Sequence, residues 1–178
     1  MLESDLATVL SWRNSDTIRK SMYTDHIITR EEHRAWFDRI SADTRLRHLI
    51  FEYRDRPVGV VNCADIGGQS CLWGFYIGVS DAPRGCGSAM GFFALEHIFE
   101  HCGFHRVFGE VFAFNRDSLR FHKRLGFVED NILPHHAEKD GKYVDVMRLI
   151  LTAEDWQKIK PTLAHTFFGS EAGICRTL

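Results

Sequence analysis

The residues best arranged to do chemistry lie in Arg84-Gly85-Cys86-Gly87-Ser88-Ala89, between an extended run ending at Val79 and a helical pattern that begins near Ser88. A strand-to-helix turn of this kind exposes backbone N–H groups with no helical acceptor. Glycines let the main chain approach an anion closely, the helix dipole favours negative charge, and Arg84 adds a charge-assisted donor. The turn therefore either binds a pyrophosphate or is simply tight. It is neither a GxGxxG dinucleotide fingerprint nor a GxxxxGK[ST] phosphate loop. Cys86 has no histidine placed to make it a nucleophile and reads as a tolerated small residue.

Residues able to carry a proton lie further along. Glu110 sits in an extended run and His122 in a helical one. His135 and His136 follow Pro134, and Asp145 lies in the last extended run. Each can act as a base directly or through water, or serve only as a salt-bridge partner or a solvated side chain. The histidines have no further ligands at metal spacing, and no metal is expected.

These residues need a scaffold, and the pattern supplies one. Leu2 to Trp12 has helical spacing, and a second short piece continues through Ile18 to Met22. Thr24 to Thr29 reads as a loop. Thr29 and Glu32 have capping-box spacing, opening a helix whose apolar face is Trp36, Phe37 and Ile40. Strands are predicted at His48–Tyr53, Val58–Ala64 and Cys71–Val79, the first two joined by a turn over Arg54–Pro57. A helix over Ser88–His101, a strand over Phe104–Phe112 and a helix over Asn115–Leu125, stopped by Gly126, come next. Phe127–Ile132 and Lys142–Leu151 close the set, before a short helix capped by Thr152 and a weakly periodic tail from Pro161. The order describes a mixed α/β or α+β fold, with one domain over 1–164 and a partly mobile tail over 165–178.

With 178 residues and a formal net charge of −2, the chain has room for one core and no electrostatic case for nucleic acid or an anionic membrane. It shows no signal peptide and no apolar run long enough to span a bilayer, so a cytoplasmic location is expected. Cys63, Cys71 and Cys102 read as reduced core thiols.

Two motifs carry a family resemblance. Arg84, Gly87 and Ala89 match the R/Q-x-x-G-x-G/A signature of the GNAT superfamily of acetyltransferases, with Gly85 an additional glycine. Asn115 through Phe127 resembles its N-x-x-[AS]-x-x-x-Y-x-K-x-G-F helix, with Ser118 and Lys123 at matching positions and His122 where the family has Tyr. The resemblance implies a central, largely antiparallel, splayed sheet flanked by helices, and acetyl transfer from acetyl-CoA to an amine. It assigns Ile77, Gly78, Val79, Arg84, Gly85, Cys86, Gly87, Ser88, Ala89, Asn115, Ser118, His122 and Lys123 to the coenzyme. His122 then either replaces the tyrosine that protonates the departing thiolate, hydrogen-bonds the thiol, or only packs. Glu110 is the second catalytic candidate.

The N-terminal half, through Trp12-Arg13-Asn14, Arg19, Met22-Tyr23-Thr24, Glu31-Glu32-His33 and Trp36-Phe37, and also Trp73-Gly74-Phe75-Tyr76, resembles the acetyltransferases of pseudaminic acid synthesis. Those enzymes acetylate the 4-amine of a UDP-linked 4-amino-4,6-dideoxy sugar. The implied acceptor residues are Arg13, Asn14, Arg19, Met22, Tyr23, Trp36, Trp73 and Tyr76, the implied partner is a nucleotide-linked amino sugar, and an exposed last strand allows a homodimer. The alternatives are a protein N-terminal acetyltransferase of the ribosomal-protein kind and a non-enzymatic domain that senses acetyl-CoA.

Overall fold

A computed structural model describes residues 1–169. Six strands form one sheet in the order β1-β2-β3-β4-β6-β5. They are β1 (Leu46–Tyr53), β2 (Arg56–Gly67), β3 (Ser70–Ile77), β4 (Arg106–Phe112), β5 (Val128–Lys139) and β6 (Lys142–Thr152). Only β3 and β4 run parallel; every other pairing is antiparallel. The helices are α1 (Leu6–Asn14), α2 (Asp16–Arg19), α3 (Arg30–Ala42), α4 (Cys86–Glu96), α5 (Arg116–Arg124) and α6 (Ala153–Phe168). The expected mixed, largely antiparallel, splayed sheet flanked by helices is what forms.

Alternation along β3 divides the molecule into two faces. Trp73, Phe75 and Ile77 join the main core with Met90, Leu95 and Ile98 from the α4 region, Leu125 after α5, and Trp156 of α6. Tyr76 faces the other way, toward a smaller cluster of Val9, Trp12, Ile18 and Val60. Gly78 is required by this second cluster: a Cβ there would lie 2.0 Å from the Trp12 ring. Gly91 does the same between α4 and α5, where a Cβ would meet Leu125 at 2.8 Å and Phe121 at 2.9 Å. The core thiols Cys63 and Cys71 are free and buried.

Local signals set most boundaries. Thr29 and Glu32 complete the capping box of α3. Asn115 accepts from the Ser118 amide to start α5, and Thr152 accepts from the Asp155 amide to start α6. Arg54 and Asp55, at φ 51° and 61°, make the two-residue turn between β1 and β2.

The C-terminal part departs from the expected pattern. The last helix is not short. It runs through Pro161 to Phe168, because Trp156 and Leu163 are buried and Phe167 and Phe168 pack on the core. That packing outweighs the backbone hydrogen bond the proline removes. The expected domain edge at 164 therefore falls inside a helix, and the rest of the tail, 170–178 with Cys175, lies outside the described residues. β5 also continues past Pro134 to Lys139, with an irregularity between Leu133 and Ala137 that absorbs the proline. His33 is buried and stacks on Trp36 with ring centroids 4.9 Å apart.

Gly126 ends α5 at φ +93°, with Ile159 of α6 against it. Gly126→Ala is expected to cost about 2 kcal/mol through left-handed strain alone. Urea unfolding measures this, and a loss well under 1 kcal/mol (roughly the cost of an unstrained surface change) would contradict it.

Candidate active site

The β3–β4 ladder ends at Trp73↔Gly109. Beyond that pair the strands diverge, β3 remaining on β2 and β4 on β6. Two rings fill the main-core face at this point. His122 Nε2 and Trp73 Nε1 would lie 2.8 and 3.0 Å from a Cβ at position 109, so only glycine lets these rings fill the crotch. Trp73 stacks on Phe127 at 5.2 Å, and Phe75 packs on Phe121 and His122.

Register tells which main-chain groups face the opening. The Gly78 amide donates to Val58 on β2, so by alternation Tyr76 and Gly74 also turn toward β2, while Phe75 and Ile77 turn toward the fork. The Ala113 amide donates to Asp145 on β6, which turns Glu110 toward the fork from the other arm. Of the three strand residues expected at the thioester, Ile77 thus presents its amide. Gly78 does not, its amide being bonded and its α-carbon covered by Trp12. Val79 packs between the two clusters.

A cleft of about 940 Å³ opens from this fork. His122, Phe75 and Phe121 lie on its main-core side, and Glu110, Tyr76 and Asn62 on the opposite face. Arg13, Met22, Tyr23, Thr24, His33 and Trp36 continue it along the α1–α3 side. Met22, Tyr23, Trp36 and Tyr76, all expected to meet the acceptor, line this cleft. Burial pushes the Tyr76 hydroxyl up to about 12. The Tyr23 hydroxyl donates to Glu110 Oε2 at 2.9 Å, and burial with this bond raises its pKa.

Several expected acceptor residues have other work. Trp73 touches the cleft but is buried in the core, with its Nε1 unpaired. Asn14 does not line the cleft; it donates to the Ile28 carbonyl and accepts from the Ile28 amide. Arg19 does not either; it binds the Asp16 carboxylate and the Asp25 carbonyl. Arg13 reaches the Thr24 carbonyl through Nη2 at 2.6 Å, while its Nη1 is buried with no protein partner. Burial lowers its pKa, chiefly by desolvation.

On the coenzyme side, Gly85 caps α4 at φ +91°, and a Cβ there would meet nothing within 4 Å. Arg84 is exposed, Gly87 and Ser88 are half-buried in the first turn, and Cys86 and Ala89 turn inward. First-turn amides of a helix have no intrahelical acceptor, so this open end suits a pyrophosphate. Asn115 and Ser118 border the cleft, Asn115 as the α5 cap. Lys123 does not border it; it is exposed and pairs with Glu129 at 2.8 Å.

His122 is 3% exposed, and burial drives its pKa down to about 4. Its Nδ1 lies 2.8 Å from the Ser118 carbonyl, which can only accept. The proton therefore sits on Nδ1, and Nε2 carries a lone pair. A neutral imidazole in this tautomer has no proton at Nε2 to give a thiolate, which weighs against the general-acid expectation. Among the expected bases only Glu110 lines the cleft. The His135 amide is bonded to Asp145, and His136 stands edge-on to Tyr23 outside the cleft. Sequence reasoning passed over Asn62, Phe75, Phe121 and Lys139. The alternation that buries Phe75 was legible; the buried position of Lys139 beside a hairpin turn was not. Among the described residues no group of three or more His, Cys, Asp or Glu is placed to hold a metal, and no helix is long and apolar enough to cross a membrane.

A splayed sheet, a glycine-opened helix end beside the fork and a carboxylate at its mouth define an acyltransferase site. Residues 1–128 match the acetyltransferase (GNAT) domain family, and the chain belongs to it. It is an acetyl-CoA-dependent acetyltransferase. It is similar to an uncharacterized N-acetyltransferase, YokL, from an SPbeta prophage of Bacillus subtilis, at 26% identity over 126 residues, 70% of this chain and 71% of that one. It is also similar to acetyltransferase PseH of Campylobacter jejuni, at 23% over 124 residues, 70% and 77% of the two chains. Its fold is shared with spermidine N-acetyltransferase of Vibrio cholerae solved with CoA and spermine (TM-score 0.82, 18% identity, covering 88% and 95%). It is shared equally with ribosomal-protein-alanine N-acetyltransferase of Brucella melitensis (TM-score 0.73, 19% identity, covering 85% and 96%).

Buried neutral His122 gives stability a definite pH dependence. Below its unfolded value of 6.5 the unfolded chain binds a proton that the folded site refuses. Its contribution is complete above 6.5, declines as pH falls toward about 4, and then levels off. His48, also held near 4 by burial, acts with the same sign. His122→Asn should flatten unfolding free energy against pH over this window in urea titrations; an unchanged slope contradicts the assignment.

Proposed function

We propose that the chain transfers an acetyl group from acetyl-CoA to the amine of a nucleotide-linked 4-amino-4,6-dideoxy sugar. The observation that carries this reading is Arg13, a half-buried guanidinium on the cleft wall whose Nη1 has no protein partner. A buried unpaired cationic donor is costly, and a phosphate oxygen of the acceptor satisfies it. A polyamine, itself polycationic, is disfavoured beside it. The aromatic wall of Trp36 and Tyr76 suits a base or the sugar ring. The N-terminal residues that resemble the pseudaminic acid acetyltransferases support the same acceptor.

In this reading the first turn of α4 holds the pyrophosphate of acetyl-CoA, and Ile77 directs its amide at the thioester oxygen. Glu110 takes a proton from the acceptor ammonium, directly or through water, freeing the nitrogen lone pair for attack. Tyr23 holds Glu110 in place. As the carbon–sulfur bond breaks, the second proton of the nitrogen passes through water to the departing sulfur, so CoA leaves as the thiol. His122 shapes the fork and presents a lone pair to the cleft without donating.

A second reading is a protein N-terminal α-amine. The similar solved structures include the ribosomal-protein-alanine enzyme, and the fork-facing main chain of Glu110 offers an edge to an extended peptide. At such identities those structures speak for the fold, so the acceptor is decided by experiment.

Release of CoA with the UDP-linked 4-amino sugar, against a ribosomal N-terminal peptide and spermidine at equal concentration, tests the assignment. Turnover with the sugar alone is expected; turnover with peptide or spermidine alone overturns it and leaves the family intact. Glu110→Gln is expected to lower kcat by about 100-fold or more with little change in acetyl-CoA affinity. Near-normal turnover would remove Glu110 as base.

A further inference from the structure

Residues 20–29 form no helix or strand, yet they roof the acceptor side of the cleft through Met22, Tyr23 and Thr24. A segment without secondary structure must satisfy its carbonyls by other means. Here side chains do it. Arg13 donates to Thr24, Arg19 to Asp25 and Asn14 to Ile28, all from the neighbouring α1–α2 region. The fourth donor comes from the far end of the chain. Lys139, at the tip of the β5–β6 hairpin, donates to the Met22 carbonyl at 2.9 Å and to Asp25 Oδ2 at 3.1 Å. Its side chain is only 7% exposed, and its ammonium lies 5.7 Å from the Phe112 ring centroid. A lysine this buried needs its partners, since an unpaired ammonium there would be strongly destabilising.

We infer that Lys139 is a positioning residue for acetyl transfer, a latch that ties the β5–β6 hairpin to the acceptor loop. The residue after Met22 is Tyr23, whose hydroxyl holds Glu110, so the latch fixes one end of the chain Lys139–Met22–Tyr23–Glu110. Tyr23 also packs edge-on against Phe112, the ring beneath the ammonium, at 5.3 Å. Met22, Tyr23 and Glu110 line the cleft on its amine side, whereas Gly85 and Cys86 open α4 on the coenzyme side, so the latch acts on the amine side. This inference rests on the amine entering on the Glu110 face and holds for whichever amine it is.

Hydrogen exchange of residues 20–29 in Lys139→Met, alongside acetyl-CoA binding and steady-state kinetics with the UDP-linked 4-amino sugar, tests it. Expected are about tenfold faster exchange in that segment, with unchanged protection near 84–89. The acceptor KM should rise by about tenfold while the acetyl-CoA dissociation constant stays level, and Lys139→Arg should recover much of the loss. Tyr23→Phe combined with Lys139→Met should cost less than the two separately, because both act on Glu110. Wild-type protection of 20–29, or equal losses for acceptor and coenzyme, overturns the latch. If Lys139→Met fails to fold, Asp25→Asn, which removes only the carboxylate, is judged by the same criteria. A wild-type enzyme silent with the sugar overturns the acceptor assignment, and the exchange measurement still decides the latch.

Discussion

Everything in this molecule depends on one break in a β-ladder. Two parallel strands are paired only as far as Trp73↔Gly109, and there the rings of His122 and Trp73 occupy the place where a side chain at 109 would stand. Each arm then remains paired only on its outer edge. Main-chain groups of Phe75, Ile77 and Glu110 are left facing a common space, and backbone polar groups so exposed are a ready template for a ligand. The fork also connects the two faces of the sheet. In the proposed reading, coenzyme from the α4 side and amine from the α1–α3 side meet there.

The same logic of unsatisfied backbone governs the acceptor loop. Residues 20–29 have neither helix nor ladder, and their carbonyls are answered by Arg13, Asn14, Arg19 and Lys139. Three of these were expected to touch substrate. All three donate to that loop, and of the three only Arg13 also lines the cleft, with a buried Nη1 that has no protein partner. A cation near an active site is thus as readily structural as catalytic, and the difference lies in which of its nitrogens already has an acceptor.

His122 illustrates how environment overrides residue type. Histidine is the side chain best suited to trade protons near neutrality, and its place in the motif suggested that role. Burial among Trp73, Phe75 and Phe127 removes the charge, and the Ser118 carbonyl fixes the proton on the nitrogen facing away. What remains is a shape-filling ring with one lone pair. Its neutrality is a property of the packed fold and exists nowhere in the local sequence.

The sequence by itself determined the elements and the coenzyme end. Capping at Thr29, Asn115 and Thr152, the stop at Gly126, the turn at Arg54-Asp55 and the glycine-rich entry to α4 are all set by neighbours a few residues apart, so spacing reveals them. Glu110 was visible as a carboxylate on a strand. The tertiary structure alone decided the rest, because those features depend on groups far apart in the chain. Contact with Trp12 closed Gly78 to a ligand, and packing of Trp156 and Phe168 carried α6 through Pro161. A hydrogen bond spanning 87 residues joins Tyr23 to Glu110, and one spanning 117 brings Lys139 to the segment over 20–29. Periodicity records which face of an element is buried; it does not record what buries it, and at this site the identity of the neighbour decides the chemistry.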